Sequence, residues 1–267
     1  MDTKKTIGII GSNGFIGQIL KRYYPDAKGY DVRGPCDSWE EVRKAEVFFV
    51  CANFQDNCAS EDSKSALNNY FATMEKGSIV IIKSTFIPGT LDWFQEKYPH
   101  LRFVYNCEFL TEMTAWEDFT KPQFQILGCP QQSLSLVHEI FKILPEAPVK
   151  RVVSPLDAEL LKHAQNSYYA LKVTWFNQLY DASKEVGADY ETIREVLVQN
   201  RWIGDSHSVI FHKGYRGYGT IKESKCLPKD LQALKKVAKM SLLDIADEYN
   251  NKLISMRGVQ KTEKEKV

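Results

Sequence analysis

The sequence has no apolar run long enough to cross a bilayer. Stretches such as EVFFVCA (46–52) and SIVII (78–82) are of strand length, so neither a membrane-spanning helix nor a membrane partner is expected. It has almost no net charge, 35 Lys and Arg against 34 Asp and Glu, formally +1, which leaves no broad basic field to hold nucleic acid. The six cysteines (36, 51, 58, 107, 129 and 226) contain no CxxC pair, and no histidines fall at zinc-ligand spacing. Neither a metal site nor a disulfide framework is expected. The opening MDTKKTIGIIGSNG lacks the apolar core of a signal peptide. Reduced thiols and no leader together predict a cytoplasmic protein.

The 267 residues suffice for one large domain or two small ones. Over the first 150, apolar runs alternate with polar, helix-like stretches. Candidate strands are TIGIIG (6–11), AKGYDV (27–32), EVFFVCA (46–52), SIVIIKS (78–84), RFVYNC (102–107) and QFQILG (123–128). Segments 14–23, 37–44, 61–75 and 90–97 can supply crossover helices. Runs without strict apolar–polar alternation suit parallel strands buried on both faces. The pattern predicts an α/β class with a Rossmann-like doubly wound parallel sheet over 1–150. An all-α central domain over 151–253 follows, then a charged tail over 254–267. No Gly or Pro interrupts 156–186, where Leu156, Leu160, Leu161, Ala164, Tyr168, Leu171, Trp175 and Leu179 recur at helical spacing. One long helix is predicted there, with Ser154 as N-cap, Pro155 at the first position and Gly187 at its end. Further helices are expected over 189–200 and 229–253.

IGIIGSNGFIGQIL joins a strand, a Gly-rich turn and a helix start, with glycines at 11, 14 and 17. Such a turn lets backbone N–H groups and a helix N-terminus approach a pyrophosphate. The bare alternative is a tight strand–helix turn with no ligand. The next strand ends at Asp31, about 20 residues on, where an acid meets a ribose 2′-hydroxyl. That favours NAD over NADP, although Arg33 lies beside it.

A second feature is Cys226, which lies among charges in YGTIKESKCLPKD rather than in an apolar stretch. A thiol serves as a nucleophile where its surroundings favour ionisation, and Lys229 is at hand; otherwise it is a small buried hydrophobe. The company it keeps is informative. GFIG (14–17), KSTFIPGT (83–90), NCEFLTE (106–112), DAELLKHAQNSYYALKVTWFNQL (157–179) and GYGTIKESKCLPKD (217–230) occur in the order of the motifs of one family. The chain resembles the UDP-glucose/GDP-mannose dehydrogenase family over roughly residues 6–235.

That resemblance implies oxidation of a nucleotide sugar's primary alcohol to a carboxylate, UDP-glucose to UDP-glucuronate, with two NAD and no metal. By resemblance, Gly11, Asn13, Gly14, Phe15, Ile16, Gly17, Asp31, Arg33, Thr85, Glu112 and Lys229 meet the cofactor. Glu108, Phe109, Leu110, Lys162, Asn166, Arg201, Tyr218, Gly219 and Cys226 meet the substrate. The catalytic set implied is Cys226 as nucleophile, Lys162 and Asn166 on the sugar O6, Asp230 with a water for the alcohol proton, and Glu108, Glu112 and Thr85 for thioester hydrolysis. Lys162 and Asn166, four apart, share a helix face. A homodimer through the long helix is implied as well, its aromatic residues being Tyr168, Tyr169, Trp175 and Phe176.

Several departures from the family pattern stand out. The chain ends where a second nucleotide-binding domain is expected. Six residues, TIKESK (220–225), stand between the Gly-Tyr-Gly turn and Cys226 instead of two. The phosphate turn is one residue longer, Cys107 replaces a proline, Thr111 replaces a basic residue, and a tryptophan is inserted after Arg201. Two other readings stay open. One is a non-catalytic NAD-binding or interaction module. The other is a short-chain dehydrogenase using Tyr168 and Lys172 with Ser154.

Overall fold

The structure is a computed structural model that describes residues 5–52, 64–224 and 226–264, with side chains described as far as Arg257. Cys58, Lys225 and the start of the expected 61–75 crossover lie outside the described residues. Packing divides the chain into two units, Met1–Lys162 and His163–Val267. The division falls inside the long helix rather than at residue 150.

In the first unit the apolar runs become strands β1 (Ile7–Ile10), β2 (Lys28–Tyr30), β3 (Val47–Val50), β4 (Ile79–Ile82), β5 (Arg102–Tyr105) and β6 (Phe124–Gly128). A seventh, β7 (Val149–Val153), was not expected. The order is β2-β1-β3-β4-β5-β6-β7. Pairing is parallel from β2 through β5, antiparallel between β5 and β6, and parallel again between β6 and β7. β7 is a sheet edge with Lys150 and Arg151 at its centre, so it carries no buried apolar run to betray it.

Between the strands lie α1 (Phe15–Tyr23), α2 (Trp39–Val42), α3 (Asn68–Thr73), α4 (Thr90–Lys97), α5 (Ala115–Thr120) and α6 (Val137–Ile143). Successive strand residues feed opposite layers. Ile10, Phe48, Val50, Val80, Ile82, Phe103 and Tyr105 pack with Phe71 of α3 and Phe94 of α4. Ile9, Val47, Phe49, Ile79, Ile81 and Val104 pack with Leu20 of α1, Phe119 of α5 and Ile140 of α6. Both faces of the central strands are covered, which is why they read as continuous apolar runs.

The long helix is α7 (Pro155–Val186). Ser154 Oγ accepts the Asp157 N–H at 3.1 Å as the expected N-cap, and Gly187, at φ 76°, ends the helix. Early in α7, the buried Glu159 caps α4, accepting the Gly89 N–H at 2.6 Å and the Leu91 N–H at 2.8 Å. Burial pushes this carboxyl up to about 7 from 4.5, against the two N–H bonds that pull it down. A raised folded-state value favours the folded chain at low pH, and that contribution is lost as pH rises from 4.5 through 7. The chain should therefore lose stability across that interval in pH-dependent urea melts. Glu159→Gln, which keeps an acceptor without the titration, should flatten the slope; an unchanged slope would remove Glu159 as its source.

In the second unit follow α8 (Tyr190–Leu197), α9 (Ile221–Ser224), α10 (Cys226–Val237) and α11 (Ser241–Lys264). The single helix expected over 229–253 is thus two, α10 and α11. α11 also runs through the expected tail to Lys264. No Gly or Pro marks the break, but as a hairpin Leu231 and Leu234 of α10 bury against Leu243 of α11 with Ala170, Val173 and Tyr218. Along α7 the large apolar residues read as one face are largely exposed: Leu156, Leu160, Leu161, Tyr168 and Trp175. Its buried positions include small and polar residues, among them Ala158, His163, Asn166, Ser167 and Ala170, as well as Val173 and Phe176. Among the described residues no helix is long and apolar enough to cross a membrane.

Candidate active site

The Gly-rich turn lies at the end of β1, between β2 and β3, where an open α/β sheet reverses strand order and leaves a crevice. Gly11 adopts φ 86°, and a Cβ there would lie 2.8 Å from the Cys51 carbonyl carbon. A Cβ on Gly17 would come within 2.1 Å of Gly11 O, so α1 rests directly on the turn. Gly14 is the N-cap of α1 and supplies no side-chain cap to its first N–H groups. Phe15 is exposed and Ile16 half-exposed beside them.

Asp31 is buried at the end of β2. It accepts the Asn13 N–H at 3.0 Å and the Arg33 N–H at 2.9 Å, with Arg33 Nε at 3.5 Å. The Asn13 amide bonds back to Arg33 O. A cleft of about 340 Å³, lined by Gly11, Tyr30, Asp31, Arg33, Ala52 and Tyr70, opens there. A turn with no room for side chains, a helix N-terminus without a cap and a buried acid 14 residues after Gly17 fit a dinucleotide, with the acid at the ribose.

At the ends of β4 and β5 of the same unit, Lys83 is buried and forms an ion pair with Glu108. Its Nζ also donates to Asn106 Oδ1 at 2.6 Å. Lys162 Nζ donates to the Glu108 main-chain oxygen at 2.7 Å, so Glu108 is held at both its side chain and its backbone. Sequence reading gave Lys83 no role, although it opens the KSTFIPGT motif. Thr85 is half-buried and makes no side-chain hydrogen bond among the described residues. Glu112 is exposed. The Phe109 ring packs edge-on to Phe124, and Leu110 joins the sheet core.

In the second unit Cys226 is exposed and lies in α10. Asp230 follows one turn later, buried; its Oδ2 accepts from Asn166 Nδ2 at 2.5 Å. Its Oδ1 lies 3.7 Å from Nδ1 of the buried His163. His163 was missed, the only signal being its place next to Lys162 in the motif. Lys229 is half-exposed and has no ion-pair partner among the described residues. Tyr218 belongs to the core, its N–H and that of Gly219 both donating to Asn250 Oδ1. Arg201 is exposed and lies over the ring of the inserted Trp202.

The short-chain dehydrogenase set is otherwise engaged. Ser154 caps α7, Tyr168 is exposed, and Lys172 Nζ donates to the carbonyls of Ile203 at 2.6 Å and Gly204 at 3.0 Å.

Comparison with known proteins gives the family. Residues 14–145 match the UDP-glucose/GDP-mannose dehydrogenase family, NAD binding domain, and residues 156–252 match the central domain of the same family. The UDP-glucose 6-dehydrogenase of Rickettsia bellii is 26% identical over 215 residues, covering 77% of this chain and 48% of the relative. The GDP-mannose 6-dehydrogenase of Pseudomonas aeruginosa is 31% identical over 219 residues, covering 75% and 48%. The chain thus spans about half the length of these curated relatives. Among solved structures, a UDP-glucose dehydrogenase from Pyrobaculum islandicum superposes with a TM-score of 0.74 at 21% identity, over 93% of this chain and 68% of that one. A UDP-D-ManNAc dehydrogenase from Pyrococcus horikoshii gives 0.80 at 17% identity, over 97% and 71%. With a Rossmann fold and matches to both the NAD binding domain and the central domain, this chain belongs to the UDP-glucose/GDP-mannose dehydrogenase family.

Proposed function

We propose that the chain oxidises the primary alcohol of a nucleotide sugar, UDP-glucose to UDP-glucuronate, in two successive two-electron steps. The observation that carries this reading is the exposed thiol at Cys226 in α10 with, one turn on, the buried carboxylate of Asp230 bonded to Asn166. NAD, when bound at the β1–α1 turn, supplies the hydride acceptor for both oxidations. Asp230, through a water, takes the hydroxyl proton as the alcohol is oxidised. Lys162 and Asn166 donate to the sugar O6 as negative charge develops on it. The Cys226 thiolate adds to the aldehyde carbon, forming a C–S bond, and the second oxidation leaves a thioester. Glu108, with Glu112 and Thr85, positions the water that adds to this carbonyl; the C–S bond breaks and the thiol is regenerated. One alcohol and one water give one carboxylate, two NADH and three protons.

Arg201 and the main chain at Glu108–Leu110 and Gly219 are the remaining substrate contacts of this proposal. The side chains of Phe109, Leu110 and Tyr218 are taken up in packing. The exposed aromatics of α7 support a homodimer. Tyr168 and Trp175 line a groove of about 300 Å³ with Leu171, Lys172, Phe176 and Trp202. Free thiols at all five described cysteines fit a cytoplasmic location.

The test is NADH formed per UDP-glucose consumed by the purified chain, its mass checked by sedimentation. Two NADH are expected. One would mean that oxidation stops at the aldehyde and Cys226 does not capture it. None, with NAD binding demonstrated, would mark a cofactor-binding module without this chemistry.

A further inference from the structure

Four residues of the stretch inserted before Cys226 are helical. Ile221–Ser224 form α9, whose start is capped by Glu223: the Thr220 N–H donates to Glu223 Oε2 at 2.8 Å and the Thr220 hydroxyl at 3.1 Å. Helical stability in a folded chain comes mostly from tertiary packing, so this segment draws support from elsewhere in the fold. That support comes from Arg257, in the part of α11 that no motif covers. Its Nη1 pairs with Glu223 Oε1 at 3.0 Å, its Nη2 donates to Arg216 O at 2.6 Å, and its guanidinium lies 4.3 Å from the Tyr215 ring centroid. Two turns earlier on α11, Asn250 holds the Tyr218–Gly219 turn by both N–H groups and the Gly219 oxygen. The parts are closely packed. A Cβ on Gly219 would meet the Tyr215 ring at 2.9 Å and Glu223 Oε2 at 3.1 Å.

We propose that Arg257 is a positioning residue for the Cys226 thiol, strapping α9, and with it the chain leading to Cys226, against α11. This rests on the reading of Cys226 as the nucleophile. An exposed ion pair contributes little. Here the arginine side chain is 25% exposed, and its planar fork engages two acceptors and a ring at once. Glu223 precedes Cys226 by three residues, so slack in α9 becomes displacement of the sulfur. A displacement of about 1 Å costs on the order of 100-fold in rate.

Arg257→Met keeps the aliphatic stem and removes the fork. In the full chain, kcat with UDP-glucose should fall roughly 10- to 100-fold, with KM for NAD unchanged because β1–α1 holds the cofactor. Arg257→Lys, which reaches Glu223 but cannot also engage Arg216 O, should recover part of the loss. Glu223→Gln should reproduce the loss, and the double variant Arg257→Met/Glu223→Gln should be no worse than Arg257→Met alone. Amide hydrogen exchange over 220–230 should quicken in Arg257→Met while that over 7–17 does not. This readout needs no turnover, so it tests the strap even if Cys226→Ser proves fully active and the nucleophile reading fails. Wild-type kcat or unchanged exchange over 220–230 overturns the proposal. So does a rise in KM for NAD with faster exchange throughout the chain, which would make Arg257 a general fold support.

Discussion

Cys226→Ser should lower formation of the acid by roughly 10⁴-fold or more, with NAD binding unaltered and no more than one NADH formed per sugar consumed. The expectation follows from which thiols are buried and which can be reached. Burial pushes Cys107 up to about 12 and Cys129 up to about 11, and raises Cys51 further. None of these three is exposed. Cys36 is exposed, but it lies at the loop after β2 and its thiol donates to Asp31 O at 3.2 Å. Cys226 combines exposure with Asp230 one turn on in α10. A serine there is a much weaker nucleophile toward the aldehyde, so the first oxidation can proceed and the second cannot. Cys36→Ser serves as the control and should leave kcat within about twofold, consistent with a surface substitution away from the reacting atoms. Acid formation by Cys226→Ser at the wild-type rate would sink the covalent route and leave Asp230 and Lys162 to explain turnover without it.

What could be read in advance follows from which signals are local. The central strands announced themselves because both layers of helices need apolar partners, so β3 and β4 are buried at every position. β7 did not, because an edge strand with Lys150 and Arg151 at its middle resembles a loop. Glycine and proline located the ends of α7, whereas the α10–α11 break has neither and is set by the burial of Leu231, Leu234 and Leu243 against one another. The candidate site divides the same way. Asp31 is legible because a dinucleotide turn fixes where the next acid must fall. Lys83 and Arg257 are not, since each acts through a partner distant in sequence, and nothing in KSTFIPGT or in MRGVQ points to that partner.

Lys83→Met should destabilise the chain by about 3–5 kcal/mol, the usual consequence of removing one member of a buried ion pair. The Lys83 and Glu108 side chains are 2% and 14% exposed, so water cannot replace the lost cation. The pair is also the start of a chain of bonds. Asn106, which accepts from Lys83, donates to Gln125 Oε1 at 3.0 Å and to Ile126 O at 2.9 Å, and Gln125 donates to Pro145 O at 3.3 Å. Losing the ammonium leaves a carboxylate in a low-dielectric setting and an unmatched acceptor on Asn106, so the loss should appear as a lower urea midpoint with an unchanged slope. Desolvating two charges nearly offsets their attraction, so the double variant Lys83→Met/Glu108→Gln should regain most of the stability. It should not regain acid formation if Glu108 positions the hydrolytic water. Stability and turnover would then part company in one pair of variants. Lys83→Met melting with the wild type would mean that Glu108 finds another cation or sheds its charge. A double variant that is both stable and active would remove Glu108 from the hydrolysis and leave that step to Glu112.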